Sequence, residues 1–444
     1  MPRPNILLVT ADQWPGSLLG LAGRQDIETP TLDRIGRNGV FFPNAFSECP
    51  ICIPARRSLM TGTAPRQHGD RVFQPALAKP DMPHLAQVFR DAGYQTGAVG
   101  KLHVYPPRDR IGFEEVLLHE EGRPQLGGPD DWDLWLADRG HPGLGHAHGM
   151  SNNGYEFRPW HLPEDCHPTV WAARQMCRMI QRRDPTRPQF LYLSFSFPHP
   201  PIVPPPSYLS LYAGRPVAPA ITADWNDDLP PALARIRNAW PQLRPDRLAE
   251  MRRAFYAQCT LIDHQLRLVI GTLREQQILD DTVVMFTSDH GDMLGDHGLY
   301  AKRAMLQGSV SVPMLLMGTA GSDRLRPGTV DPRLVGLQDI MPTLLDLAGI
   351  DAPNSVTGLS LAGPEQRETL YCEALEGQAA MRMVTDGRWK LIWYPAGNRV
   401  QLFDLDADPD ETVDRSCSAE AVPQLKRLSR QLAAELYGSD FGFL

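Results

Sequence analysis

Cys52-Ile53-Pro54-Ala55-Arg56, continued by Arg57-Ser58-Leu59-Met60-Thr61-Gly62, is the stretch around which the chain is organised. Pro54 fixes φ and lacks an N–H, so it suits the first turn of a helix. Cys52 then stands near a helix N-terminus, where free backbone N–H groups favour anions. Arg56 lies one helical turn on and can fold back beside the thiol. Gly62 supplies the helix stop. As chemistry, this is a nucleophile in an anion-binding turn. As packing, it is a buried cysteine beside a helix-starting proline. Residues elsewhere have to decide.

The decision comes from strand ends. Ile6-Leu7-Leu8-Val9-Thr10 reads as a buried parallel strand and runs into Ala11-Asp12-Gln13. An acid just past the carboxyl end of such a strand sits where α/β sheets place ligands. Asp12 is therefore a metal-ligand candidate, with Gln13 as a neutral oxygen ligand; a helix N-cap is the plainer reading of Asp12. A helix over 83–93 feeds the strand Thr96–Gly100, which ends in Lys101-Leu102-His103. Two residues apart, Lys101 and His103 face the same side of an extended backbone. The strand over 189–197 ends in Pro198-His199. The strand over 282–288 ends in Asp289-His290-Gly291-Asp292, followed by Gly295-Asp296-His297-Gly298 and Lys302. Asp289 can carry metal, His290 can ligate it or bind an oxyanion, and Lys302 can reach a bound anion. Seen singly, these are a surface lysine, a half-buried histidine and a solvated turn. Parallel strands align their carboxyl ends on one sheet edge, so these sets can converge in space, and core packing has no use for Lys and Asp there.

The 444 residues carry a formal charge of −8, with 42% hydrophobic and 22% charged residues. This is ordinary soluble composition and argues against a general nucleic-acid binder. A local cluster of cations still accommodates an anionic substrate. Seven cysteines without regular spacing give no disulfide framework, and the lone Cys49-x-x-Cys52 pair has no partner for a zinc knuckle. No signal-peptide core and no apolar run of membrane-spanning length occurs, so a cytoplasmic protein is expected.

Residues 120–163 break the βα rhythm and are rich in Gly, His, Asp and Trp. They read as an elaborated loop over the site, a substrate wall, with solvent-exposed histidines. Helices are expected over 168–183, 245–276 and 338–348. Beyond these the pattern shifts to short alternating strands over 381–385, 389–394 and 401–405, then a terminal helix over 422–436. The expected fold is α/β: a large, mostly parallel sheet between helices over 1–360, and a small antiparallel sheet plus helix over 361–444.

The Cys52 stretch resembles the signature of the type I, formylglycine-dependent sulfatases of the alkaline phosphatase superfamily, Cys-x-Pro-x-Arg followed by Thr-Gly. Pro4 to Asp12 looks like that family's opening strand and first metal acid. Gly100-Lys101-Leu102-His103 resembles its Gly-Lys-x-His motif, and Pro198-His199 its Pro-His motif. Thr287 to Gly291, Gly295 to Gly298 and Lys302 resemble its second metal motif and anion-binding lysine. Asp386 to Ile392 and Leu402 to Leu405 look like its small domain. So many motifs in the family's order make chance a poor explanation. Gln13 and His290 replace the Asp and Asn of many arylsulfatases, a pairing more like the choline-sulfatase and phosphonate monoester hydrolase branch. Ala55 stands where Ser is usual.

The resemblance implies that a formylglycine-generating enzyme converts Cys52 to an aldehyde whose hydrate is the nucleophile. It implies one divalent metal on Asp12, Gln13, Cys52, Asp289 and His290: Ca²⁺ first, with Mn²⁺ favoured by the imidazole ligand, or Mg²⁺. Arg56, Lys101 and Lys302 then offset ester charge, His199 or Lys302 protonates the departing alcohol, and His103 takes the proton of the second hydroxyl. The implied substrate is a small aryl or alkyl sulfate, with no membrane partner, and a homo-oligomer is admitted. A phosphonate monoester or phosphodiester hydrolase with the same nucleophile is the nearest alternative. A non-catalytic metal- and anion-binding module and a Cys49–Cys52 redox protein are more remote.

Overall fold

The computed structural model describes residues 3–121 and 128–438. Its strands are β1 (Asn5–Asp12), β2 (Val40–Phe41), β3 (Ala45–Phe46), β4 (Gln95–Gly100), β5 (Glu115–Leu118), β6 (Gln189–Pro198), β7 (Thr282–Ser288), β8 (Met314–Met317), β9 (Thr329–Val330), β10 (Val335–Gly336), β11 (Leu370–Ala374), β12 (Met381–Thr385), β13 (Trp389–Tyr394) and β14 (Arg399–Asp404). Eight of them form one sheet in the order β5-β4-β6-β1-β7-β8-β2-β9. The run from β5 to β7 is parallel, and β8 turns antiparallel to β7.

β1 lies at the centre because both its faces are apolar. Leu7, Val9 and Ala11 enter one core with the helices Pro168–Gln181 and Pro245–Glu275. Ile6 and Leu8 enter the other, with Ala55 and Leu59 of the helix Cys52–Thr61 and with the helix Ile340–Leu347. A strand buried on both faces needs no polar alternation, and the period of two divides its side chains between the layers. Asp263, fully buried on the long helix, accepts from Thr31 N–H (3.0 Å) and Leu32 N–H (2.8 Å) and so caps the helix Pro30–Arg37 from outside.

β11 to β14 form a four-stranded antiparallel meander. Val384, Leu391 and Leu402 meet Leu428 and Leu432 of the helix Val422–Tyr437 on one face. Met381, Met383, Ile392 and Phe403 meet Met305, Leu306 and Val310 of the main body on the other. The sequence reading misses β11. Glu373 interrupts its apolar run, and only the tertiary structure supplies the ion pair of this buried carboxylate with the partly exposed Arg71 (2.9 Å).

Within 120–163, residues 122–127 lie outside the described residues. The rest is less irregular than expected. Asp130 accepts from Asp133 N–H (2.9 Å) and caps a helix, Asp131–Asp138, that buries Trp132 and Leu136. The expectation of solvent-exposed histidines is corrected here: His148 is buried, while His146 is exposed. Trp132 and Trp160 anchor the segment in the core and carry His148 inward.

His167 caps the helix Pro168–Gln181 by accepting from Thr169 N–H (3.2 Å), and burial holds its pKa down at about 3. A histidine whose folded pKa lies below its unfolded value contributes stability above pH 6.5. That contribution drains away as pH falls from 6.5 towards 3, by about 1.4 kcal/mol per pH unit. His167→Asn keeps a capping oxygen without a titrating ring. Its denaturant-measured stability is expected to fall less steeply than the wild type's between pH 6.5 and 4; parallel slopes would contradict this.

Candidate active site

The helix Cys52–Thr61 begins at Cys52 and ends at Gly62, whose φ of 66° closes the last turn with an N–H···O bond to Ser58. This puts Cys52 at a helix start, pointing into the carboxyl edge of the sheet. Asp12 ends β1, and Asp289 and His290 directly follow the neighbouring β7. Ligand atoms of Asp12, Cys52, Asp289 and His290 all lie within 4.8 Å of one another, and all four residues are buried.

The imidazole is set for ligation. His290 Nδ1 lies 3.0 Å from Gly291 O and donates to it, which leaves the Nε2 lone pair aimed at Cys52 Sγ (3.1 Å) and at Asp12 Oδ1 and Asp289 Oδ1 (3.7 Å each). Two carboxylates and one imidazole nitrogen, converging beside a sulfur position, form a donor set that fits a divalent cation.

Arg56 is the cation that makes this acid pair tolerable. Its Nε donates to Asp289 Oδ2 (3.0 Å), its Nη2 reaches Asp12 Oδ2 (3.5 Å), and its Nη1 donates to Lys101 O (2.9 Å) and Ser194 Oγ (2.8 Å). The guanidinium thus faces the carboxylates, where the sequence reading had it facing ester oxygens. Lys101, fully buried, is ion-paired with both Asp12 and Glu121. Burial pushes the Asp12 carboxyl up, but Lys101, His199, Arg56 and His290 outweigh it and hold it well below the usual range. For Cys52, burial and Asp12 push the thiol up. Lys302, Lys101 and His290 prevail and leave it below its ordinary value.

Lys302 Nζ donates to Gln13 Oε1 (2.5 Å). Gln13 Nε2 donates to Asp292 Oδ2 (2.5 Å) and to Tyr155 OH (3.0 Å), and Tyr155 OH donates to Asp292 Oδ2 (2.5 Å). Gln13 therefore lies at the site with its oxygen already engaged by Lys302. His199 follows β6; its N–H donates to Asp12 O (3.1 Å) and its Nδ1 donates to Pro200 O (2.7 Å). Burial, with Lys302 nearby, brings its pKa down to about 3, so the ring is neutral.

His103 departs from expectation. Its φ of 56° ends the extended backbone on which a shared side with Lys101 was argued, and its ring meets Phe73 edge-on at 5.8 Å. Both N–H groups of Leu102 and His103 donate to Glu120 Oε1 (2.8 and 2.9 Å). Cys49 and Cys52 are both free thiols, and Cys49 Sγ turns to Arg71 O (3.8 Å).

Glu120, Glu121, Tyr155 and Ser194 escaped the sequence reading, which quoted Asp292 in the strand-end turn but gave it no role. Glu120 and Glu121 follow β5, so the strand-end argument would apply to them, but β5 has only four residues and does not stand out in the sequence. Tyr155 arrives from the irregular segment with no local signal.

Residues 4–350 match the family model described as Sulfatase, and residues 295–437 match that of the N-sulphoglucosamine sulphohydrolase C-terminal region. An arylsulfatase of Clostridium perfringens (strain 13 / Type A) is 33% identical, over 99% of this chain and 96% of the relative. A choline-sulfatase of Rhizobium meliloti (strain 1021) is 31% identical, over 92% and 81%. In fold, the chain is similar to the phosphonate monoester hydrolase of Agrobacterium radiobacter, with a TM-score of 0.82, 24% identity, and 97% and 95% of the two chains covered.

The match to the sulfatase model and the relatives, on a large mostly parallel sheet with a small antiparallel sheet beside it, identifies the fold as that of the alkaline phosphatase superfamily. Within it, the chain belongs to the sulfatase family and is a sulfuric ester hydrolase.

Proposed function

We propose that this enzyme cleaves aryl or alkyl sulfate monoesters with Cys52 converted to formylglycine, and with one divalent metal held by Asp12, Asp289, His290 and the modified residue 52. The observation that carries this is the meeting of Cys52 Sγ, His290 Nε2 and two carboxylates within 4.8 Å at a helix N-terminus. When bound, the metal supplies charge stabilisation for the ester oxygens and a lowered hydroxyl pKa. The hydrated aldehyde supplies a hydroxyl nucleophile and a second hydroxyl through which sulfate is released.

The chain's own residues do the rest. Arg56 holds Asp12 and Asp289 in register and offsets their repulsion. Lys101 and Lys302, whose charges both bear on residue 52, bring positive charge to the ester. Of the two proton donors expected, Lys302 is favoured, because the Nδ1–H of His199 is committed to Pro200 O. Gln13, pinned by Asp292 and Tyr155, aims Lys302. His103 keeps the role of base only as the resemblance implies it. Maturation by a formylglycine-generating enzyme and a cytoplasmic location are part of the same proposal; calcium, manganese and magnesium are to be separated by titration.

Chelation is expected to lower turnover of an aryl sulfate by at least ~10²-fold, and one equivalent of metal to restore it. Run beside a phosphate diester and a phosphonate ester, the aryl sulfate should show the highest kcat/KM. Undiminished turnover in the stripped enzyme, or a higher kcat/KM on either phosphorus ester, would overturn the proposal.

A further inference from the structure

Lys302 reaches the site from a loop whose backbone is held where side chains disfavour it. Within residues 294–303, Leu294 (φ 48°), His297 (56°), Ala301 (61°) and Arg303 (82°) are all left-handed, and the last two flank Lys302 itself. Residues with a Cβ seldom adopt this region, and such backbone persists only where its surroundings fix it. The anchors come from two directions.

The start of the loop is held by the main sheet's long helix. Arg252 donates from Nε to Leu294 O (2.9 Å) and from Nη2 to Asp296 Oδ1 (2.6 Å). The end is held by the small sheet. Glu411, beyond β14, accepts the Gln307 N–H on Oε2 (2.7 Å). Lys390 of β13 donates to Gln307 Oε1 (2.9 Å) and pairs with Glu411 Oε1 (2.6 Å), so one ion pair grips both the backbone and the side chain of Gln307. Both charged side chains are buried. Beside them His297 Nε2 donates to Asp410 O (3.1 Å), and its ring stacks on Trp225 (4.7 Å), whose Nε1–H donates to Glu411 O (2.9 Å).

Docking of the small sheet does not require this pair. Leu299 and Met305 already share an apolar cluster with Met383 and Phe403. A desolvated ion pair adds little net stability over apolar groups of the same size, but its direction is fixed. Here the direction is fixed on Gln307, five residues past Lys302. Gln13 engages the same lysine at its other end, on Nζ (2.5 Å).

We infer that Glu411, held by Lys390, is a positioning residue: it fixes the loop from which Lys302 meets the leaving oxygen. The inference rests on the role proposed for Lys302 above. In that role an Nζ–H bond breaks as the S–O bond to the leaving group breaks. The proton goes to the departing oxygen, the alcohol leaves neutral, and the amine regains a proton from water.

The test uses the leaving group to tell a misplaced lysine from a damaged fold. 4-Nitrophenol departs readily as its anion, whereas phenol depends on the proton. Metal-loaded, aldehyde-bearing enzyme is assayed on both aryl sulfates, with Lys302→Ala as the measure of selective loss. In the double variant Glu411→Leu, Lys390→Met, which leaves no buried charge unpaired, kcat/KM on phenyl sulfate should fall about tenfold to a hundredfold, and on 4-nitrophenyl sulfate by less than about threefold. The double variant Glu411→Gln, Lys390→Met keeps an acceptor for the Gln307 N–H and should recover most of the loss. The ratio between esters within each variant is independent of the fraction folded. Equal losses on the two esters, or no loss, beside a selective loss in Lys302→Ala would overturn the positioning role and leave the sulfatase reading standing. Equal losses in Lys302→Ala would overturn the proton donor and the positioning role together. Failure of the wild type on both sulfates would overturn the sulfatase reading as well.

Discussion

Cys52→Ala is expected to abolish sulfate-ester turnover, by ~10³-fold or more, while the protein stays folded and still binds metal. Cys52 is small and sits at the first turn of its helix, so truncation to alanine leaves that helix its Pro54 start and its Gly62 stop. Asp12, Asp289 and His290 remain to hold a cation, because Arg56 and Lys101, rather than the sulfur, fix the two carboxylates. Calorimetric metal affinity should therefore stay within about tenfold of wild type, while kcat collapses. Mass spectrometry of the wild-type peptide should show an aldehyde at position 52. A preparation with an intact thiol and full activity would sink the formylglycine proposal, and equal activity in the alanine variant would remove residue 52 from the chemistry.

Arg56→Met should be the most destabilising single change at the site. The guanidinium is 4% exposed and touches the carboxylates of both Asp12 and Asp289. Burial disfavours its charge, but Asp289 and Asp12 more than compensate and hold its pKa above the ordinary value. Its removal takes the guanidinium from buried Asp289 and leaves Asp12 beside it with Lys101, and breaking a buried pair in this way costs about 3–5 kcal/mol. A divalent metal partly replaces the missing charge, so the variant should gain more stability from added metal than the wild type does. Denaturant titrations with and without metal check both halves. A variant within about 1 kcal/mol of wild type in the absence of metal would show that the acid pair needs no such offset.

Much of this was legible in the chain. The strand Asn5–Asp12, the helix Cys52–Thr61 with its glycine stop, the strand Thr282–Ser288 and the 31-residue helix Pro245–Glu275 all follow from local periodicity and breakers. Asp12, Cys52, Asp289 and His290 could be grouped because parallel strands share one carboxyl edge, a rule that needs no coordinates. Where local reading failed, the deciding partner was distant in sequence. β11 is secured by pairing with β12 and by Arg71, some three hundred residues away along the chain. The helix Asp131–Asp138 depends on burying Trp132 against Trp160 and the sheet.

Side-chain direction is the clearest case. Sequence placed Arg56, Lys101 and Lys302 at the site as cations for an ester, because their positions follow from helix and strand geometry. Only the tertiary structure decided what each one faces: Arg56 the carboxylates of Asp289 and Asp12, Lys101 both Asp12 and Glu121, Lys302 the amide of Gln13. Residue type and spacing determine which chemistry is brought to the sheet edge. Long flexible side chains with several polar neighbours have no preferred direction until packing removes all but one of their partners.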